Sequence, residues 1–251
     1  MRKMGMYIHI PFCKSKCDYC DFSSWAGKEK LIPEYMKWLN VELAEVANGM
    51  IQDSTAKRTE NIEICTIYIG GGTPSSIDSK YILEMLTQIR KQYRLADSTE
   101  ITIEINPGTI CEKKLQDYQK AGINRISIGL QSTHNHHLQN IGRIHTFEDF
   151  LYTYELARKC GFNNINVDLI IGLPQETIGE VKEDIEKIAA LQPEHISVYS
   201  LILEEGTKLY QKKQQNKISL PTEEEERAMY WIVKNYLEQH GYSHYEISNF
   251  A

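Results

Sequence analysis

YIHIPFCKSKCDYCDFSSW, residues 7–25, runs from a strand-like segment through a proline into three cysteines, Cys13, Cys17 and Cys20, within eight residues. A structural zinc site takes four ligands, generally as two separated pairs, and the chain offers no second cysteine pair. A catalytic zinc site can use three ligands, but three thiolates so close in one loop are unusual for it. A loop of this kind can also fold round an iron–sulfur cube, whose normal complement is four thiolates. Three protein thiolates would leave one iron open to an exogenous ligand. On the residues alone the readings are a cluster first, with zinc and neither as equal alternatives. Lys14 and Lys16 either offset negative charge in the loop or are simply solvated.

Outward from this stretch, strand-like runs recur at 66–72, 101–107, 125–132, 165–174 and 195–203. Segments with helical apolar spacing lie between them, at 34–47, 79–93, 112–122, 147–161, 177–192 and 221–241. Six β-then-α units predict a parallel sheet. Alternation inside the strands narrows the choice. Ile101, Ile103 and Ile105 share one face, and Thr102, Glu104 and Asn106 the other. Val167, Leu169 and Ile171 are set against Asn166 and Asp168 in the same way. Parallel strands covered on both sides should be apolar on both faces, and a closed barrel fills its lumen with bulky branched side chains. A polar inner face therefore predicts an α/β fold of the partial (β/α)6, TIM-like kind, holding a polar ligand inside. Gly122 and Gly161 stand where helix-ending glycines belong. Thr222 and Glu225 have capping-box spacing. Residues 48–61 (NGMIQDSTAKRTEN) are expected to form a mobile loop.

The 251 residues carry a net charge of −6, with 41% hydrophobic and 25% charged side chains. That balance suits a globular core and gives no reason to expect a nucleic-acid partner. No apolar run approaches membrane-spanning length, and the basic start MRKMGMYIHIPFC is too polar for a signal peptide. A cytoplasmic location follows as the expectation. In that compartment three disulfides are not expected. Cys65, Cys111 and Cys160, scattered singly beside apolar residues, are expected to be small buried hydrophobes.

Several polar residues are candidates to serve an open iron. GGGTP (70–74) ends the second strand, where backbone can approach a ligand closely. Glu104 and Asp168 face the lumen, and either could instead pair with Arg125 or Arg143. Gln131 could orient a carboxylate or a ribose. The HNHH run, with His134, His136 and His137, is expected to be a solvated loop, with a metal site as the alternative.

Cys-x3-Cys-x2-Cys with an aromatic residue before the third cysteine resembles the radical S-adenosylmethionine (SAM) superfamily. YIHIPFC, GGGTP, IEINP, GLQS, GRIH and VDLIIGLP together resemble its oxygen-independent coproporphyrinogen III oxidase group, and within that group its haem-chaperone subgroup. The resemblance runs from Tyr7 to Phe250. It implies a radical SAM core domain over residues 1–251. Cys13, Cys17 and Cys20 would ligate one 4Fe–4S cluster, and SAM would chelate the open iron. Tyr7, Tyr19, Gly71, Gly72, Thr73, Glu104, Gln131, Arg143 and Asp168 match SAM contacts, and Ile202 matches a backbone contact after the sixth strand. In this superfamily the reduced cluster passes an electron to SAM, whose sulfonium splits to methionine and a 5′-deoxyadenosyl radical; the cofactor carries the chemistry and the protein orients it.

Two departures separate the subgroups. The oxidases carry a fourth cysteine where this chain has Phe22, and a long extension where only six residues precede Tyr7. Both point to the haem-chaperone subgroup, with haem as cargo and coproporphyrinogen oxidation as the alternative; enzyme activity is left open. The partners implied are haem, haem-accepting proteins such as respiratory enzymes, and a reductant for the cluster, with a homodimer left open. The family pattern continues beyond YEISNFA into a helical C-terminal domain with an HNxxYW motif, and the chain is expected to lack that domain. His9 and His145 are histidines that could in principle coordinate haem.

Overall fold

In the computed structural model, residues 2–48 and 62–251 are described. The loop expected at 48–61 lies outside them from residue 49 onward. Among the described residues no helix is long and apolar enough to cross a membrane.

The chain runs β1 (Arg2–Ile10), β2 (Phe12–Cys13), β3 (Trp25–Ala26), α1 (Ile32–Ala47), β4 (Ile62–Gly71), α2 (Ser79–Gln92), β5 (Arg94–Ile105), α3 (Glu112–Lys120), β6 (Arg125–Gln131), α4 (Asn135–Asn140), α5 (Phe147–Lys159), β7 (Ile165–Ile171), α6 (Ile178–Ala190), β8 (His195–Ser200), α7 (Lys208–Gln214), α8 (Glu223–Gln239) and β9 (Asn249–Phe250). The main sheet has the order β1-β4-β5-β6-β7-β8-β9. Its first six strands are parallel, and β9 pairs antiparallel with β8. Every crossover steps the same way. Right-handed connections then place all the helices on one face, as in a barrel, whereas a doubly wound sheet reverses its order. The two edges, β1 and β9, do not pair with each other, so the barrel stays open. The expected partial (β/α)6 barrel is what forms, with one added antiparallel strand.

The outward side chains anticipated from alternation fill the core. Ile103, Ile105, Ile126, Ile128, Val167 and Ile196 are all buried and pack with Met85, Leu86, Tyr118, Phe150, Ile185 and Ile188 from the helices. Each fully buried aliphatic side chain stabilises the fold by roughly 1.5–3 kcal/mol relative to exposure. Thr146, Thr177 and Thr222 each close a capping box at the start of α5, α6 and α8, the third as expected. Gly122 and Gly161 follow helix ends at φ of +81° and +87°, the left-handed conformation that a C-terminal glycine supplies.

The single cysteines differ from expectation. Cys65 and Cys160 are only partly buried and Cys111 is exposed. Cys111 is the residue before α3 and Cys160 the residue after α5, where chain ends meet solvent. Cys65 lies where the pairing of β4 with β5 slips between Ile64 and Thr66, so it drops out of the alternating face.

Candidate functional site

The cysteine loop is a closed noose. Phe12 and Cys13 of β2 pair with Trp25 and Ala26 of β3, and the Trp25 amide donates to the Pro11 carbonyl at 2.8 Å. Within the noose the Cys20 amide donates to the Cys17 carbonyl at 3.2 Å. Lys16 Nζ ties the far side by donating to the Phe22 and Ser24 carbonyls at 2.9 and 3.1 Å. Lys14 Nζ donates to the Gly108 carbonyl at 3.2 Å. Both lysines thus brace backbone, a use that neither expectation for them included.

The GGGTP turn docks directly on this loop. The Gly72 and Thr73 amides donate to the Ile10 and Phe12 carbonyls at 2.9 and 2.8 Å. A Cβ on Gly72 would stand 2.8 Å from the Phe12 carbonyl oxygen and 2.9 Å from Cys13 Sγ, closer than real Cβ atoms come. A side chain there would displace the first cysteine, so glycine is required by contact rather than by backbone conformation.

A chain of hydrogen bonds links two of the thiols through three strands' ends. Thr73 Oγ1 donates to Cys13 Sγ at 3.6 Å and accepts from Asn106 Nδ2 at 3.0 Å. Asn106 Oδ1 accepts from Arg143 Nη2 at 2.9 Å, and Arg143 Nη1 donates to Cys17 Sγ at 3.6 Å. Arg143 Nη2 also donates to the Gly129 carbonyl. Cys20 Sγ lies 4.0 Å from Ser24 Oγ. A small pocket lined by Lys14, Cys17, Thr73, Asn106 and Arg143 opens beside the loop. All these residues follow the C-terminal ends of parallel strands, where barrel and open-sheet sites lie.

Deeper in the lumen, Glu104 accepts from Tyr68 Oη at 2.8 Å and from the Gly71 amide at 3.1 Å. Burial pushes its carboxyl up to about 7, with Asp168 adding to the rise and the Tyr68 and Gly71 hydrogen bonds opposing it. Tyr7 stacks on Tyr68 with ring centroids 6.2 Å apart. Asp168 accepts from Ser127 Oγ at 2.9 Å and Asn166 Nδ2 at 2.7 Å, and burial raises its carboxyl as well. The partners of both carboxylates are thus hydroxyls and amides, not Arg125 or Arg143. Gln131 ends β6 at φ +82°, a sparsely populated conformation that clusters at ligand sites. A Cβ on Gly129 would lie 3.1 Å from both Gln131 Nε2 and Arg143 Nη2, so these two side chains converge.

Of the anticipated residues, Cys13, Cys17, Gly72, Thr73 and Arg143 form one connected group, with Cys20 beside it in the same loop. Tyr7, Gly71 and Glu104 form a second. Gln131 adjoins Arg143. Asp168 sits in a separate polar layer with Ser127, Asn166 and Ser197. Tyr19 packs against Ile141, Ile170, Leu173 and Leu209. Ile202 is exposed on the segment after β8. His9 has both ring nitrogens engaged, with Tyr7 Oη at 3.0 Å and the Ser23 carbonyl at 2.8 Å. His145 is buried with Nε2 at 3.2 Å from the Leu130 carbonyl. His9 is thus not placed to offer haem a free ligand, while His145 lines the pocket beside the cysteine loop.

Two residues of the site escaped the sequence analysis. Asn106 bridges Thr73 and Arg143, and its signal was present: it follows Glu104 at the strand period on the inward face. Asp18 is buried between two ligand candidates. Its amide donates to the Ile141 carbonyl at 2.9 Å, its carbonyl accepts from the Leu209 amide at 2.7 Å, and its carboxylate takes Lys212 Nζ at 2.7 Å. It fastens the cysteine loop to α4 and α7. The HNHH run differs from the expected solvated loop, because three of its residues begin α4 and His137 is buried.

A family model described as the radical SAM superfamily matches residues 7–188. The chain is 38% identical over 246 residues to the haem chaperone HemW of Bacillus subtilis (strain 168), covering 98% of this chain and 62% of that protein. It is 32% identical over 247 residues to the mitochondrial radical S-adenosyl methionine domain-containing protein 1 of Danio rerio, covering 98% of this chain and 54% of that one. Among solved structures it resembles coproporphyrinogen III oxidase (HemN) from Escherichia coli, with a TM-score of 0.85 and 26% identity, over all of this chain and 56% of that one. The chain spans about three fifths of the length of the bacterial relatives it matches.

Proposed function

We infer that this chain, which belongs to the radical SAM superfamily, is the cluster- and SAM-binding core of a haem chaperone. The observation that carries the cofactor reading is the hydrogen-bond chain from Cys13 through Thr73, Asn106 and Arg143 to Cys17. It preorients two of three clustered thiols and leaves no fourth thiolate in the loop. The residues fit an iron–sulfur cube. Gly72 keeps the space over Cys13 clear, and Arg143 brings a fixed positive charge to anionic sulfur, with its Nε buried and unpartnered. Cys13, Cys17 and Cys20 would hold the cluster. When bound and reduced, that cluster supplies the electron that cleaves the SAM sulfonium.

The remaining residues bind and orient SAM. Gly71, Gly72 and Thr73 present the turn beside the methionine moiety, and Glu104 offers a carboxylate to its amino group. Gln131 and Arg143 offer an amide and a cation to its carboxylate, with Tyr7, Tyr19, Asp168 and the Ile202 backbone bounding the rest of the molecule. Glu104 supplies a pH test. A carboxyl raised to about 7 is mostly neutral at pH 6 and mostly ionised at pH 8. SAM affinity of the cluster-loaded protein is expected to fall as pH drops from 8 to 6. In Glu104→Gln the part of that fall that Glu104 contributes disappears. Equilibrium dialysis at both pH values measures it, and an equal pH effect in both proteins would remove Glu104 from the SAM site.

Two features support haem as cargo. Phe22 occupies the position where the oxidases carry another cysteine, and the named haem chaperones are similar over nearly the whole chain. Phe22, Trp25, Ile144 and Ile202 are all more than half exposed, in segments that follow the C-terminal ends of the barrel strands. Exposed apolar side chains of this kind suit a large, flat, apolar ligand or a partner. Haem-accepting proteins would be the recipients, and six free thiols favour a reducing, cytoplasmic setting. Haem titrated into the full-length protein is expected to bind stoichiometrically. Under reducing, oxygen-free conditions with SAM, coproporphyrinogen III is expected to remain unconverted. The opposite pair of results would make the protein an oxidase.

A further inference from the structure

We propose that His134, His136 and Glu180 form a second metal site, for a divalent transition ion of the zinc class, on elements distinct from the cysteine loop. His134 immediately precedes α4, His136 lies in its first turn, and Glu180 lies in the first turn of α6. Their ligating atoms all fall within 4.8 Å of one another. His136 Nε2 stands 3.3 Å from Glu180 Oε1, and His137 Nε2 stands 3.4 Å from the same oxygen. Two ligands held about 2.0–2.1 Å from one tetrahedral ion stand roughly 3.3–3.4 Å apart. The His136–Glu180 spacing is therefore that of two ligands sharing an ion, and His137 stands at the same reach.

The oxygen involved is free to serve. Glu180 Oε2 is committed to its capping box, accepting from the Thr177 amide at 2.9 Å and from Thr177 Oγ1 at 2.8 Å. That leaves Oε1 aimed at the histidines from a rotamer already fixed. The histidines show the complementary deficit. His134 Nε2 and both ring nitrogens of His137 are buried without a hydrogen-bond partner, and the His137 side chain is 1% exposed. Buried polar atoms are nearly always satisfied. His137 Nε2 faces Glu180 Oε1 at 3.4 Å, and His134 Nε2 faces Asp184 Oδ1 at 3.5 Å and Glu183 Oε2 at 3.7 Å. Each lies beyond good hydrogen-bond geometry, so this histidine–carboxylate group points to a ligand.

A second carboxylate stands beside His134. Asp184 Oδ1 lies 3.5 Å from His134 Nε2, and the same oxygen accepts from the Thr133 amide at 2.9 Å and from Thr133 Oγ1 at 2.5 Å. Two imidazoles and one carboxylate suit zinc, nickel or copper better than calcium or magnesium, which prefer all-oxygen sets. The fourth position is left to water or to His137. Bound there, the ion would clamp α4 to α6 across the β6 and β7 ends of the barrel.

The test is a zinc titration against a chromophoric chelator, using protein prepared without oxygen and loaded with iron and sulfide. The same titration on Cys13/Cys17/Cys20→Ala protein removes the loop thiols as competitors, and the single variants below separate the histidine site from the remaining Cys65, Cys111 and Cys160, so the result stands apart from the cluster assignment. About one equivalent of zinc is expected in both. His136→Ala alters a half-exposed surface ring, and Glu180→Gln keeps a capping-box residue. Each is expected to weaken zinc binding at least tenfold, with iron content unchanged. Failure of the triple variant to bind zinc, or undiminished affinity in both single variants, would overturn the proposal.

Discussion

Cys13/Cys17/Cys20→Ala protein, reconstituted without oxygen, is expected to hold no iron where the parent chain holds about four atoms, and to bind SAM at least about 100-fold more weakly, roughly 2.7 kcal/mol. The direction follows from where the binding energy lies. If SAM occupies an open iron, removing the thiolates removes the iron and with it the strongest contact, while the lumen contacts of Glu104, Gln131 and Arg143 survive. The barrel itself should persist. Its core is built from strand and helix side chains away from the loop, and the thiols accept only long, weak bonds from Thr73 and Arg143. Iron and sulfide analysis, SAM dialysis and far-UV circular dichroism check the three parts. Unchanged SAM affinity in a folded triple variant would refute the open-iron reading. An unfolded triple variant would show that the loop is needed for folding, and single Cys20→Ala protein, whose thiol lies only 4.0 Å from Ser24 Oγ, would then carry the iron measurement.

What the sequence made legible is what period and spacing encode. Ile101, Ile103 and Ile105 against Thr102, Glu104 and Asn106 announced an inward polar face, because a strand alternates its sides whatever its neighbours do. Three cysteines within eight residues announced their chemistry for the same local reason. The elements that stayed hidden depend on partners far along the chain. β9 is two residues long and exists through contacts such as the Val198 amide donating to the Ser248 carbonyl at 2.7 Å and Ser197 Oγ to Asn249 Oδ1 at 2.7 Å. α4 is six residues with Leu138 as its one apolar member, too few to show a helical period. Asp18 carries no local signal between its two cysteines, and partners far along the chain, Ile141, Leu209 and Lys212, the last 194 residues away, make it a buried anchor. HNHH looked solvated because its acidic neighbours come from α6.

Among single substitutions, Arg143→Met is expected to have the largest effect, because one guanidinium serves three different partners at once. Its two terminal nitrogens meet Cys17 Sγ, Asn106 Oδ1 and the Gly129 carbonyl. Methionine fills similar space and donates nothing, leaving the amide and the carbonyl oxygen without their donor. A buried acceptor stripped of its partner costs about 1–3 kcal/mol, so destabilisation of about 3 kcal/mol is expected in urea unfolding of the cluster-free protein. Removing a hydrogen-bond partner of a metal ligand typically costs roughly 10–100-fold in metal affinity, and cluster retention under a chelator should fall by that factor. Arg143→Lys separates charge from geometry. Lysine keeps the positive charge but cannot fork to sulfur, amide and carbonyl together. If the cation alone matters, the lysine variant retains its cluster. The shared hydrogen bonds predict instead that lysine behaves nearly as badly as methionine, and that Asn106→Ala reproduces part of the loss through Thr73 and Cys13 without touching any ligand.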